Sequence, residues 1–210
     1  MKILKNVSEN LIQSRFPNTA ILICRSRKWL ICLLLSFLIS ACDILNGPAG
    51  TVTENDFKQF LKKRHFDIYE TDTRIPDLEY QLINGQKENF TANKGNVVLL
   101  NFWTTWCYPC KQEMPDLEEL KHKMKGEKFR ILAVNSGEDS EKITRFLTKY
   151  PYSFDIILDE NKDFSDSMNI EGLPTTFIFD RNLKLIGRLI GIIDWKDEAF
   201  ISYLTRYSRT

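Results

Sequence analysis

The stretch VVLLNFW, Val97 to Trp103, constrains the fold more than any other part of the chain. Seven consecutive uncharged, mostly apolar residues suit a strand covered on both faces, the position of a central strand in an α/β sheet. FRILAVN, Phe129 to Asn135, repeats the pattern, and the interval between them holds one helix with Met114, Leu117 and Leu120 on one side. Strand, crossover helix and strand predict a parallel pair with a right-handed connection. Further on, Asp139 to Lys149 reads as a helix with Ile143, Phe146 and Leu147 inward, DIIL around Ile156 as a short strand, and Phe164 to Met168 as a short helix. Thr175 to Asp180 and Leu185 to Ile190 read as strands joined by a turn at Arg181-Asn182, and Trp195 to Tyr207 as a closing helix. Upstream, LEYQLINGQKENF alternates about Asn84-Gly85, a two-residue hairpin signal. The expected fold class is α/β: a central mixed sheet flanked by helices, with an N-terminal hairpin.

At 210 residues the chain supports one domain of ordinary size plus extra segments. Arg25, Arg27 and Lys28 precede a thirteen-residue apolar run, Trp29 to Ala41, and then Cys42. Positive flank, short apolar core and small residues before a cut are the parts of an export signal. A membrane span needs about 20 apolar residues, so this run is short for one. Ile39-Ser40-Ala41-Cys42 resembles the lipobox of bacterial lipoproteins, which implies Cys42 as the lipid attachment site; an uncleaved signal anchor and a buried core helix are the alternatives. The expected organisation is a signal segment over 1–41, its long leader suggesting a start codon assigned too early, a lipidated tether over 42–75, and the folded domain over 76–207. Within the tether, Thr53 caps a short helix with Phe57, Phe60 and Leu61 on one face, expected to pack on its own domain rather than on a membrane surface. Either main reading makes the soluble part face an oxidising compartment, and the lipobox reading places the protein in the cell envelope, lipid-anchored to a membrane and facing the periplasm or cell exterior. The first 42 residues take six of the 29 Lys and Arg and one of the 28 acids, leaving 23 basic against 27 acidic residues. Basic clusters with interleaved aromatics are absent, which argues against a nucleic-acid partner, and Lys121 to Lys128, broken by Glu127, reads as a solvated helix end.

The first strand runs into FWTTWCYPCKQEMP, where Cys107 and Cys110 stand two residues apart. A structural zinc site wants four Cys or His ligands, and the exported part adds only His65 and His122. Two soft sulfurs suit Cu(I), but Met114 is expected on the core side and supplies no ligand. A disulfide across two residues closes a tiny loop, so as a staple it contributes little. A redox pair fits the context. Cys107 falls at or just before a helix N-terminus, where unpaired N–H groups and the macrodipole favour a thiolate. Cys110, three positions on, shares its face one turn deeper and is placed to resolve a mixed disulfide. Cys107 is expected to be exposed. Pro109 suits the first helical turn, whereas Pro115 falls inside the helix. Glu113 lies three residues beyond Cys110, towards the core; burial there would raise its proton affinity and let it exchange a proton with Cys110, while a surface Glu on a Lys-rich helix is the alternative.

VVLLNFWTTWCYPCKQEMP, followed some sixty residues later by GLPTTFIFD, resembles the thioredoxin superfamily and within it the membrane-anchored thiol-disulfide oxidoreductases called TlpA- or ResA-like. The markers are Asn101 to Trp103, the pair introduced by Trp106, Lys111 to Pro115, and Gly172-Leu173-Pro174-Thr175. The resemblance covers about Pro76 to Tyr207. It implies Cys107 and Cys110 as a catalytic, redox-active disulfide, a cis bond before Pro174 packed against it, and Glu113 as the proton-handling carboxyl, with no cofactor and no metal. Asn101 stands near the place where thioredoxins carry a buried Asp. Tyr108-Pro109 departs from the charged residue the group often has before its Pro, and the lack of a His between the cysteines favours a reductant. The implied partners are disulfide-containing client proteins, apocytochrome c among them by analogy, a membrane thiol donor, and the membrane itself through the lipid. A disulfide oxidase or isomerase and a non-enzymatic metal- or partner-binding lipoprotein are the rival functions. A peroxidase would want Pro where Leu100 stands.

Overall fold

The structure, a computed structural model, describes residues 51–75 and 77–210. The expectations for the signal segment and for Cys42 fall outside them. Among the described residues eight strands form one sheet: β1 (Asp67–Ile68), β2 (Glu79–Leu82), β3 (Lys87–Asn89), β4 (Val97–Trp103), β5 (Phe129–Ser136), β6 (Asp155–Asp159), β7 (Thr175–Phe179) and β8 (Leu185–Ile190). Their spatial order is β1-β8-β7-β4-β5-β6-β2-β3. β4 pairs in parallel with β5, and β5 with β6. The pairings of β4 with β7, β7 with β8, β6 with β2, β2 with β3 and β8 with β1 are antiparallel. The sheet is thus mixed, with the hairpin at one edge.

The period of two along β4 divides the core. Val97, Leu99 and Trp103 enter one apolar cluster and Val98, Leu100 and Phe102 the other. The first cluster lies under α1 (Glu54–Lys62), α2 (Tyr108–Lys123) and α5 (Glu198–Arg209), together with Ile143 of α3 (Ser140–Lys149). The second includes Phe164 of the short α4 (Asp163–Ser167) and Phe90 after the hairpin. Asn101 is on the α2 side by the same alternation, so a buried polar residue faces that helix.

Thr53 caps α1 reciprocally with Asp56, as its sequence suggests. The helix packs on the domain: Phe57 stacks on Tyr207 at 4.3 Å between ring centroids, and Phe60 on Tyr203 at 4.0 Å. Of the expected inward residues of α3, Ile143 is buried while Phe146 and Leu147 are half-buried. The closing helix starts later than its apolar pattern suggests. Lys196 N donates to Asp194 Oδ1 at 2.9 Å and Ala199 N to Asp197 Oδ1 at 2.9 Å, so these aspartates hold a turn and then cap α5. Trp195 therefore lies in the segment leading into the helix. No helix among the described residues is long and apolar enough to cross a membrane.

Candidate active site

β4 ends at Trp103, and four residues later Cys107 caps α2, its Sγ accepting from Cys110 N at 3.2 Å. The two cysteines are bonded to each other, their Cα atoms 5.3 Å apart. Pro109 occupies the first turn of α2, where a missing N–H costs nothing, and Pro115 lies within the helix, leaving the carbonyl of Lys111 without its usual donor. Cys110 is fully buried, as its place one turn in requires. Cys107 is only 5 % exposed, which corrects the expectation of an exposed thiol. Its flanks take the solvent instead: Trp106 and Tyr108 are each 67 % exposed. Cys107 reaches solvent through a cavity of about 510 Å³, bordered by Trp106, Tyr108, Pro109, Lys162 and Leu173. Leu173 precedes Pro174 in the cis bond that the sequence resemblance implies. Gly191 N donates to Pro174 O at 2.8 Å, which ties the loop to the strand end opposite.

Glu113 faces inward. It is 2 % exposed, and its two oxygens are held separately: Asn101 Nδ2 donates to Oε1 at 2.7 Å, and Trp195 Nε1 to Oε2 at 3.1 Å. Burial pushes its pKa up to about 7, against the two donors, which favour the charged form; the Asp116 carboxylate adds a small upward push. A carboxyl that titrates near neutrality one turn below a cysteine can take or give a proton in the physiological range. The surface alternative for Glu113 does not hold. Its indole partner escapes sequence reasoning because Trp195 is far off in the chain and looks like part of an amphipathic helix.

A second carboxylate also escaped. Glu138, in the loop after β5, is buried and accepts from Thr105 N at 2.6 Å, Thr105 Oγ1 at 2.7 Å and Asn135 Nδ2 at 2.9 Å, with Lys142 Nζ at 2.6 Å. Burial works against its charge, but Lys142 and these donors prevail and hold its pKa below the usual value. Glu138 thereby pins the residue just before Trp106 and Cys107. The one sequence signal for it is an acid directly following a buried strand at the sheet end where the cysteines lie. Among the described residues no group of three or more His, Cys, Asp or Glu could hold a metal ion.

A thioredoxin-like mixed sheet, with a bonded Cys107-Tyr-Pro-Cys110 motif at the end of its central strand and a cis-Pro loop on the same cavity, defines a thiol-disulfide oxidoreductase. Residues 71–187 match the AhpC/TSA family, and the chain belongs to that family. It is 37 % identical over 157 residues to the thioredoxin-like protein YneN of Bacillus subtilis, covering 73 % of this chain and 84 % of the relative. It is 34 % identical over 122 residues to the thiol-disulfide oxidoreductase ResA of Geobacillus thermodenitrificans, covering 58 % of this chain and 70 % of that one. Among solved structures, a thiol:disulfide interchange protein DsbE from Chlorobium tepidum superposes with a TM-score of 0.60 at 27 % identity, over 66 % of this chain and 98 % of the other.

Proposed function

We propose that the protein is an exported, lipid-anchored disulfide reductase in which Cys107 is the attacking and Cys110 the resolving residue. The observation that carries this reading is the placement of Cys107 Sγ at the capped N-terminus of α2, on a cavity, with Cys110 beneath it and Glu113 one turn further in. The helix terminus favours the Cys107 thiolate. That thiolate attacks one sulfur of a client disulfide, and the other client sulfur leaves as a thiolate and takes up a proton. Cys110 then gives its proton to Glu113 and attacks Cys107 Sγ. The Cys107–Cys110 bond forms, the second client thiolate leaves, and the client has gained two electrons. Glu113 returns its proton to solvent, and a membrane thiol donor restores the dithiol with two electrons.

A buried carboxyl one turn beyond Cys110 disfavours an anion there, so in the reduced form the helix terminus stabilises a thiolate at Cys107 alone. A disulfide whose reduced form is weakly stabilised has a low potential, which supports the reductive direction. The resemblance to the ResA-like group extends the reading to apocytochrome c as a client, and the lipobox-like end of the signal to anchoring through Cys42. Equilibration with glutathione tests the direction. The expected potential lies nearer that of thioredoxin, about −270 mV, than that of DsbA, about −120 mV; a value at the oxidising end would make the protein an oxidase.

A further inference from the structure

The two donors on Glu113 are not equivalent. The indole Nε1 of Trp195 can only donate, so a proton on Glu113 Oε2 would set two donors against each other. The amide of Asn101 can present either atom. Its Nδ2 donates to Glu113 Oε1 at 2.7 Å and to Thr176 Oγ1 at 2.9 Å, while its Oδ1, buried, has no hydrogen-bond partner among the described residues. A half-turn about the last side-chain bond exchanges the two atoms, setting Oδ1 against Glu113 and Thr176 and Nδ2 in the place that has no partner, so one amide atom is unpaired in either orientation and the protonation of Glu113 decides which. We propose that Trp195 and Asn101 are positioning residues that confine the proton of Glu113 to Oε1: the indole holds Oε2 as an acceptor in both states, and the Asn101 amide turns over when Glu113 is protonated, its Oδ1 then accepting from the carboxyl O–H.

The inference rests on the proposed role of Glu113 in exchanging a proton with Cys110. A proton confined to one oxygen has one direction of transfer, and the amide turn satisfies the carboxyl in its charged and neutral forms alike. On α2 the Asp116 carboxylate raises the proton affinity of Glu113 and is itself paired with Lys196 Nζ at 3.0 Å, next to Trp195 in the chain. Asn101 on β4 and Thr176 on β7 are neutral, and the bonded cysteines do not titrate.

The test reads the carboxyl directly. In the oxidised full chain with glutamate labelled with ¹³C at the carboxyl carbon, the Glu113 resonance, assigned by its loss in Glu113→Gln, is titrated from pH 4 to 9. Trp195→Phe removes a donor that serves the charged form and should raise the midpoint by about one pH unit, a tenfold gain in proton affinity. Asn101→Leu removes an amide that serves both forms and should move the midpoint by less than half as much. A Trp195→Phe midpoint equal to wild type, or an Asn101→Leu shift as large as the indole's, overturns the proposal. Should either variant fail to fold, the wild-type protein decides: the Trp195 Nε1 and Asn101 Nδ2 proton resonances should titrate with the Glu113 midpoint, the indole remaining hydrogen-bonded at both ends, and an indole proton that exchanges freely at low pH contradicts the account. Since this readout needs no turnover, an inactive protein with these titrations refutes the reductase reading alone, and an active one without them refutes only the inference.

Discussion

Replacing Glu113 with Gln should remove a specific dependence of stability on pH. In the folded chain the carboxyl titrates near 7, because burial disfavours its charge, against an ordinary value of 4.5. Below 4.5 the group is protonated whether the chain is folded or not. Between 4.5 and 7 only the folded chain keeps the proton, so the unfolded state binds fewer protons and stability falls as pH rises. Above 7 the loss is complete, and at about 1.4 kcal/mol per pH unit it amounts to about 3 kcal/mol. Gln cannot ionise, and its amide nitrogen faces one of the two donors unfavourably, so the variant starts lower at acid pH. The useful quantity is the difference between wild type and variant, in which all other titrations cancel. Urea unfolding of both proteins, disulfide intact, at half-unit steps from pH 4.5 to 8 should show wild type losing about 3 kcal/mol relative to the variant. A difference that stays flat within about 0.5 kcal/mol would show that Glu113 is not a desolvated carboxyl, and would refute the proton-handling argument with it.

Other perturbations separate further parts of the account. Asp116→Asn removes an anion that raises the Glu113 midpoint and frees the Lys196 cation, so that midpoint should fall, by less than one pH unit; a rise would contradict the charge assignment. Glu138→Gln leaves fewer acceptor sites for Thr105, Asn135 and Lys142 and should cost about 1–3 kcal/mol in urea unfolding, with faster hydrogen exchange at the Thr105 amide; unchanged exchange would deny that Glu138 pins this loop. Phe57→Ala should cost about 3–5 kcal/mol, since the ring is fully buried against Tyr207; a loss under about 1 kcal/mol would show that α1 is dispensable to the core.

The elements legible in the sequence are those whose cause is local. Val97 to Trp103 and Phe129 to Asn135 are apolar on both faces, and they form the parallel central pair, because no other place in a domain covers a strand twice. Asn84-Gly85 marks its own turn, with Gly85 at φ 88°. Cys107 and Cys110 are legible because a two-residue spacing at a helix start is itself the chemistry. What sequence did not reveal depends on partners distant in the chain. Glu113 is ambiguous until Asn101, 12 residues before it, and Trp195, 82 residues after it, close over its two oxygens. Glu138 binds Thr105 across 33 residues. The cavity at Cys107 has the same origin, since Leu173 on its wall comes from the cis-Pro loop. The start of α5 differs for a local reason that apolar periodicity overlooks: Asp194 and Asp197 compete for backbone N–H groups and hold Trp195 outside the helix.

The division of labour between the two sulfurs is the centre of the account, and covalent trapping measures it most directly. Cys110→Ser and Cys107→Ser proteins, reduced and mixed with a disulfide-bonded client such as insulin, are quenched with acid and resolved by non-reducing mass spectrometry. Cys110→Ser should accumulate a mixed disulfide on Cys107, and the buried thiol left in Cys107→Ser should accumulate little. Equal trapping by both variants, or adducts on Cys110 alone, would contradict that division of labour.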